Sequence, residues 1–169
     1  MNAKSPSESL TVLTDLVLTG ETNSLNNLFG GELLARMDRA GGIAAGRHSR
    51  RVVVTASVNH VAFSKAIPLG SVVTIEAKVS RAFTSSMEVV IDVWIEDRQS
   101  GDRTKSNEAI YTFVAVDAQG TPVPIPPIQP ETPLEIERYE AALRRKQLSL
   151  VLAGKLKAAE ATELKALFV

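Results

Sequence analysis

Four residues in the first quarter of the chain have types and spacing suited to chemistry on an acyl carbonyl: Asn27, Gly30, Gly31 and Asp38. Backbone N–H groups at a helix start are free to polarise a carbonyl or to hold an anion. Asn27 adds a side-chain amide beside them, and an acid about two turns into the helix could act as a general base on water. These groups match the requirements for attack on an acyl carbonyl with oxyanion stabilisation, and they leave open which ester or thioester is attacked.

The helix that must position Asp38 is indicated by its apolar spacing. Apolar residues recur with helical periodicity and predict one buried face: Leu33, Met37, Ala40 and Ala44. Asp38 has Leu, Gly and Ala as its neighbours on this helix, where a carboxylate is costly unless it is paired or used. From the helix alone a structural pairing with an Arg or a backbone donor stays open as the alternative. Gly41 and Gly42 each weaken a helix by roughly 1 kcal/mol relative to alanine, which predicts that another group approaches closely there.

Composition excludes several classes of protein. The chain has 169 residues and a formal net charge of zero, which indicates one globular domain and argues against a dedicated nucleic-acid binder. It contains no cysteine, so a disulfide framework, a thiolate zinc site and a cysteine nucleophile are excluded. No stretch approaches the ~18 apolar residues of a membrane span, and the first nine residues lack an apolar signal core. We therefore expect a soluble cytoplasmic protein that uses neither nucleic acid nor membrane.

Other catalytic sites find no support in the sequence. The phosphate-loop and dinucleotide-binding glycine patterns are both missing, as is the G-x-S-x-G elbow of serine hydrolases. The chain has two histidines, too few for a clustered zinc site, so we expect no metal and no cofactor. His48 follows the helix among arginines and is predicted to be exposed. His60 alternates with apolar neighbours in a strand and is predicted to be partly buried.

The order of periodic segments predicts an α+β protein. One strand over residues 10–18 precedes the helix, and four strands with period-two alternation follow between residues 51 and 116. Six prolines then indicate an extended strap, and one or two helices end the chain. We predict a flexible N-terminus over residues 1–9, one domain over 10–132 and a C-terminal helical extension over 133–169. An antiparallel sheet with an unpaired edge favours a dimer.

Several separated motifs resemble those of one family, the hotdog-fold acyl-CoA thioesterases, and more narrowly the YciA-like and brain-type cytosolic acyl-CoA hydrolases. The resemblance covers about residues 10–145, and because many motifs occur in the right order it is specific. The motifs are Asn27-x-Phe29-Gly30-Gly31, Met37-Asp38-x-Ala40-Gly41, Val54-Thr55-Ala56-Ser57-Val58, Phe63, Gly70, Thr84-Ser85-Ser86-Met87-Glu88, Tyr111-Thr112-Phe113-Val114 and Pro122-x-Pro124-x-Pro126.

The resemblance implies a fold, an activity and an assembly. The fold is a central helix wrapped by a curved antiparallel sheet, and the activity is hydrolysis of fatty acyl-CoA to free acid and coenzyme A, which enters as part of the substrate. The family's catalytic acid is at Asp38, with Asn27 of the opposite protomer as its partner and the backbone of Gly30 and Gly31 at the thioester carbonyl. The family forms dimers with two sites at the interface, often as a trimer of dimers. A neighbouring subunit or an acyl chain is then expected to pass close to the helix at its second glycine pair.

The resemblance also suggests where coenzyme A is bound, and it has two departures. Relatives contact coenzyme A near the positions of Thr84, Ser85, Ser86, Arg103 and Lys105. Relatives commonly carry an Asp where this chain has an uncharged amide at position 59. The segment after about residue 148 has no counterpart in the family pattern and is expected to be an added assembly helix. A non-catalytic acyl-CoA-binding regulatory module stays open as the alternative, since fold does not imply function.

Overall fold

The computed structural model describes residues 1–168 and shows a sheet of five strands around one long helix. The order of elements is the predicted one: a strand, a helix, four strands, a proline-rich strap and C-terminal helices. None of the described helices is long and apolar enough to cross a membrane. The elements are β1 (Thr11–Leu16), α1 (Gly30–Ser49), β2 (Val52–Ala62), β3 (Val72–Ala82), β4 (Ser86–Glu96), β5 (Arg103–Val116) and α2 (Pro133–Leu152), with short helical turns at Pro6–Ser9, Thr19–Glu21, Ala158–Glu160 and Thr162–Lys165.

The sheet is antiparallel throughout, with the strand order β1-β3-β4-β5-β2. This confirms the prediction from period-two alternation. The pairing of β2 with β5 shifts register twice, between Thr55 and Ser57 and between Val58 and His60. Such irregularities bend a strand and increase its twist, which suits a sheet that curves around a helix. Within the described chain β2 is an edge strand whose outer side is unpaired.

Helix α1 lies in the concave face of the sheet, and its predicted buried face is confirmed. Leu33, Met37, Ala40 and Ala44 are at most 2% exposed. A Cβ atom added at Gly41 would lie 2.8 Å from the ring of Phe113, so only glycine lets the helix approach the sheet this closely. At Gly41 the group that comes close belongs to β5 of the same chain. Gly42 has only an ordinary contact with Phe113 at 3.8 Å, and the expectation of a neighbouring subunit or an acyl chain at this glycine pair stays a prediction there.

Helix α2 covers the convex face of the sheet through buried ion pairs. The guanidinium of Arg145 donates to both carboxylate oxygens of Glu88 at 2.8 and 2.7 Å. Arg138 donates to Asp92 at 2.8 Å, and Lys78 on β3 donates to Glu135 at 3.0 Å. The three acids are 3–8% exposed. Removing one partner of such a pair leaves an uncompensated buried charge, so these contacts restrict where α2 can sit.

The first residues are packed in the structure, in contrast to the flexible segment predicted from their polarity. The backbone N–H of Lys4 donates to the carbonyl of Pro127 at 3.0 Å, and its carbonyl accepts from Gln129 at 2.9 Å. Pro6 and Ser9 are buried. The strap explains this packing. Proline has no N–H group, so the carbonyls of a proline-rich segment form hydrogen bonds with the N–H groups of another extended segment. Composition alone does not reveal such a partner.

Both histidines differ from the sequence prediction. His48 is completely buried, because it continues the buried row of Ala40 and Ala44 at a spacing of four residues. Its Nε2 donates to the carbonyl of Pro126 at 2.7 Å, so the strap covers it. His60 is exposed on β2, next to the register shift that turns the strand. The prediction of an exposed His48 and a partly buried His60 was wrong in both cases.

The buried position of His48 disfavours its protonation. Burial lowers the pKa of this imidazole, and the ammonium of Lys4 lowers it further, while the Pro126 carbonyl and Glu8 act in the opposite direction. Among the described residues Nδ1 has no hydrogen-bond partner, so a second ring proton would have no acceptor there. Folding therefore favours the neutral ring.

This burial predicts a pH-dependent stability. With the folded-state pKa of His48 below its unfolded value, stability is complete above the unfolded pKa and falls as the pH drops below it, by up to about 1.4 kcal/mol per pH unit until the folded pKa is reached. Thermal unfolding between about pH 8 and about pH 5.5 measures this loss. His48→Gln keeps a donor for Pro126 and cannot titrate, so it should lose less stability on acidification. An identical pH dependence in both proteins would contradict the assignment.

Candidate active site

The start of α1 presents unused backbone donors. Phe29 occupies the N-cap position in an extended conformation, and no side chain caps the helix. Among the described residues the N–H groups of Gly30 and Gly31 have no hydrogen-bond acceptor, while the next bond of the helix runs from Leu33 to the Phe29 carbonyl. A Cβ atom at Gly31 would lie 2.9 Å from the ring of the exposed Phe29, so a larger residue there would displace this side chain. The predicted carbonyl-polarising donors are therefore free at the predicted place.

A cavity of about 380 Å³ lies in front of these donors. Its lining includes Gly30 and the predicted Asn27, together with Asn23, Phe63 and Asn107. Asn107 is 2% exposed, and its Oδ1 has no partner among the described residues. Asn107 is not among the residues predicted from the sequence, although it is a polar position among the apolar inward positions of β5. The cavity thus combines an apolar wall with several amides.

The loop before α1 is folded around Asn23. The Oδ1 atom of Asn23 accepts from the backbone N–H of Leu25 at 2.9 Å and from that of Asn27 at 3.2 Å. The backbone of Asn23 in turn donates to the Asn27 carbonyl at 2.8 Å. The side-chain Nδ2 of Asn23 takes no part in these bonds. The side-chain amides of Asn23 and Asn27 both line the cavity at the helix start. Of the two, only Asn27 was predicted from the sequence.

Asp38 is half-buried and is held by a hydroxyl. The Oγ1 atom of Thr55, on the edge strand β2, donates to Asp38 Oδ1 at 2.6 Å. No cation of the described chain forms an ion pair with Asp38, so the alternative of a structural Arg partner finds no support. Burial and the charge of Asp38 raise the pKa of the nearby Tyr111 to about 12, so this phenol stays protonated at neutral pH. This phenol is therefore not available as a base at this place.

The donors and the acid are separated within one chain. Gly30 and Asp38 are eight residues apart on the same helix, which corresponds to about 12 Å along its axis. Asp38 does not line the cavity at the helix start. One carbonyl therefore cannot contact both groups of a single copy. Within the described residues no group of three or more His, Cys, Asp or Glu side chains could hold a metal ion.

The residues predicted to contact coenzyme A lie at two distant places. Residues 84–86 form the turn between β3 and β4, closed by the N–H of Phe83 donating to the Ser86 carbonyl at 2.8 Å. Arg103 and Lys105 lie on β5 beside the far end of β4, about 26–33 Å away along the strand. There Arg103 pairs with Glu76 at 2.7 Å, and Lys105 pairs with two acids. The structure does not bring the two groups together, and their role in binding stays a prediction.

Comparison with known proteins places this geometry in a family. The model of the thioesterase superfamily matches residues 25–101, a range that includes Asn27, Asp38 and Thr55 and begins just after Asn23. The uncharacterised acyl-CoA thioester hydrolase YkhA of Bacillus subtilis is 42% identical over 138 residues, which cover 82% of this chain and 80% of that protein.

Two similar solved structures extend the match to the whole fold. An apo-hexameric acyl-CoA thioesterase has a TM-score of 0.87 at 35% identity, with 90% of this chain and 98% of the other covered. An acyl-CoA hydrolase from Staphylococcus aureus, in complex with butyryl coenzyme A, coenzyme A and coenzyme A disulfide, has a TM-score of 0.84 at 35% identity and covers 97% and 99%. The C-terminal segment therefore has a counterpart in a relative, and the expectation that it had none was wrong.

Further structures of the S. aureus enzyme carry single substitutions to Ala of an Asp, a Thr and an Asn. In the sequence of that enzyme the Asp and the Thr are 17 positions apart, and the Asn precedes the Asp by 15 positions. The five-stranded sheet around α1, the free donors at the helix start and the identity to these relatives lead to one conclusion. The chain belongs to the hotdog-fold acyl-CoA thioesterase family.

Proposed function

We propose that the protein hydrolyses acyl-CoA to a free acid and coenzyme A, at active sites that two copies of the chain complete together. The observation that carries this proposal is the division of the site along α1. One end offers free N–H donors and amides, and a carboxylate held by a hydroxyl lies about 12 Å further along the helix. Since neither half suffices alone, the donors of one copy must meet the carboxylate of another.

The edge strand β2 is the surface through which we propose that the two copies pair. Val52, Val54 and Val58 on this strand are 45–66% exposed, and its outer backbone groups are free to extend the sheet. A two-fold axis beside β2 would set the two α1 helices antiparallel, because an isologous interface brings each surface against the same surface of its partner. The start of one helix would then face Asp38 of the other. The hexameric relatives support a trimer of such dimers as the full assembly.

The substituted residues of the S. aureus enzyme support specific roles by their spacing. Asp38 and Thr55 are separated by 17 positions, as the substituted Asp and Thr are. The substituted Asn precedes its Asp by 15 positions, which is the separation of Asn23 from Asp38, whereas Asn27 precedes Asp38 by 11. We therefore propose that Asn23 is the amide that orients water or substrate. The role of Asn27, the residue predicted from the sequence, stays a prediction.

The proposed mechanism uses these groups in sequence. The N–H groups of Gly30 and Gly31 polarise the thioester carbonyl, and Asp38 of the partner copy removes a proton from water as its oxygen attacks the carbonyl carbon. Thr55 occupies one oxygen of the carboxylate and leaves the other for the water. When the tetrahedral intermediate collapses, the C–S bond breaks and the proton passes from Asp38 to the leaving thiolate. Direct attack by the carboxylate, giving an anhydride, is the alternative route for the same side chain.

Replacement of Asp38 tests the assignment directly. Asp38→Asn should lower kcat on the order of 10²–10⁴-fold, as expected for loss of a general base, while Thr55→Val should cost less because it only orients the carboxylate. Thiol release across a panel of acyl-CoAs measures both. Asp102→Asn, in the exposed turn after β4, is the matched control and should hydrolyse normally. Undiminished hydrolysis in Asp38→Asn contradicts the mechanism, and a wild type that binds acyl-CoA without releasing thiol would identify the non-catalytic module.

A pair of isosteric substitutions separates the two loop amides. Asn23→Asp keeps the Oδ1 acceptor that folds the loop but removes the Nδ2 donor. We expect it to lower kcat by about tenfold or more, because a donor to a charge that develops in the transition state is lost. Asn27→Asp should have the smaller effect. The reverse ranking in the same thiol-release assay would return the role to Asn27.

Mixing two inactive proteins tests whether the site is shared. Asp38→Ala lacks the acid, and Gly30→Leu fills the space before the donors, where a Cβ atom itself meets only ordinary contact with Phe63. A mixed dimer has one intact site, so co-refolded equal amounts should recover about a quarter of wild-type activity. Native mass spectrometry counts the mixed dimers. Mixed dimers without recovered activity would show that the shared-site arrangement is wrong.

A further inference from the structure

The cavity at the helix start has an exposed side and a buried side. Among its lining residues Leu25 and Phe63 are exposed, whereas Leu28, Leu33 and Ile67 are buried. We call the exposed side the mouth and the buried side the inner end. The first residue of α1, whose N–H group is free, lines the same cavity. A ligand whose carbonyl is bound at the helix start can therefore extend inward into an apolar space or outward into solvent.

Asn107 lies at the inner end, and its amide oxygen lacks a partner. The residue lines the cavity and is 2% exposed. Its Nδ2 donates to the Lys65 carbonyl at 3.4 Å and to Ser106 Oγ. Because a carbonyl can only accept, the contact with Lys65 determines which side of the amide carries the donor. Oδ1 is then left without a donor in the described chain, whereas a buried oxygen of this kind normally has one.

The inner end suits the acyl chain of a thioester and not its coenzyme A arm. The two parts leave the thioester carbonyl in opposite directions, so they cannot both extend inward. The coenzyme A arm leads to a charged nucleotide, which is costly to bury among apolar side chains and stays in solvent. The acyl chain is therefore the part that reaches the wall to which Asn107 belongs.

The charges around the cavity favour a neutral donor on that chain. A saturated acyl chain has no hydrogen-bond donor and would leave Asn107 Oδ1 unpaired. A carboxylate would place a negative oxygen against this acceptor. An ammonium group would be repelled by Lys65, which lines the cavity and has no acidic partner in the described part of the chain. A hydroxyl group donates one hydrogen bond without carrying a charge.

We propose that Asn107 determines specificity by selecting acyl chains that carry a hydroxyl group. The inference rests on the proposed function and names the class of acyl-CoA that this site prefers. The substrate hydroxyl donates to Asn107 Oδ1 while the N–H groups of Gly30 and Gly31 bind the thioester carbonyl, so the acyl chain is held at two points. A saturated chain makes only one of these contacts and leaves the buried oxygen unpaired, which weakens its binding relative to the hydroxylated chain.

Steady-state kinetics with matched substrates test the proposal. Hexanoyl-CoA is the saturated reference for 2-, 3- and 6-hydroxyhexanoyl-CoA. At least one hydroxylated substrate should have a kcat/KM about tenfold or more above the reference, the usual cost of leaving a buried hydrogen-bonding group unpaired. Its methoxy analogue, which keeps the oxygen and lacks the donor proton, should lose this advantage. This comparison uses only the wild type and does not depend on the folding of a variant.

Asn107→Leu has nearly the same shape and no polar side-chain atom. It should abolish the preference for the hydroxylated substrate and should hydrolyse hexanoyl-CoA at least as well as the wild type. The ratio between the two proteins cancels the different intrinsic reactivities of the substrates. Ser106→Ala is the matched control, since Ser106 is equally buried and contacts only Nδ2 of Asn107. It should keep the preference.

Binding measurements separate failure of this proposal from failure of the proposed function. In Asp38→Ala, calorimetry should show tighter binding of the preferred hydroxyhexanoyl-CoA than of hexanoyl-CoA, and adding Asn107→Leu should remove the difference. This binding preference without thiol release from the wild type would sink the hydrolase and leave the specificity intact. Equal hydrolysis of all substrates by the wild type would keep the hydrolase and overturn the specificity. An equal loss for hydroxylated and saturated substrates in Asn107→Leu, or an unchanged preference, would also overturn it.

Discussion

The rise of the α-helix is the constraint on which this active site depends. The carbonyl-polarising donors can exist only at the first turn of α1, because further along the helix every N–H is bonded to a carbonyl. The acid is eight residues further on, about 12 Å away, and no side-chain rotation closes that distance. The fold therefore separates the two halves of its chemistry on one rigid element. The proposed arrangement, in which a second helix runs in the opposite direction, would bring a donor and an acid to the same carbonyl.

The sheet holds α1 in place and also leaves it accessible. Close contact at Gly41 sets the helix against Phe113, and the buried row of alanines fixes its rotation, so Asp38 points toward the edge strand. Thr55 meets it there, on a strand whose other side is free. On the convex face, buried ion pairs hold α2 over the sheet, and among the described residues Lys146 has no acidic partner. The sheet thus separates the carboxylate of Asp38 from the cation of Lys146 on its opposite face.

Most of the fold could be predicted from the sequence, because local periodicity determines which segments are strands and helices. The positions that failed depend on contacts distant in sequence. His48 is buried by a strap that lies nearly 80 residues later, and the first residues are ordered by the same strap. His60 is exposed because of a register shift, which alternation along β2 does not reveal. Each error concerns a residue whose environment is made by another part of the chain.

By itself the sequence determined the helix start with its two glycines, the acid two turns later and the family to which both belong. These are local features, since spacing along a helix follows from backbone geometry. The tertiary structure alone decided which groups surround them. It placed the Thr55 hydroxyl on the acid, brought Asn23 and Asn107 to the cavity, separated Arg103 and Lys105 from residues 84–86, and set Lys146 beside that turn. The reason is physical: strand register and helix docking result from packing between distant segments, and no local pattern encodes them.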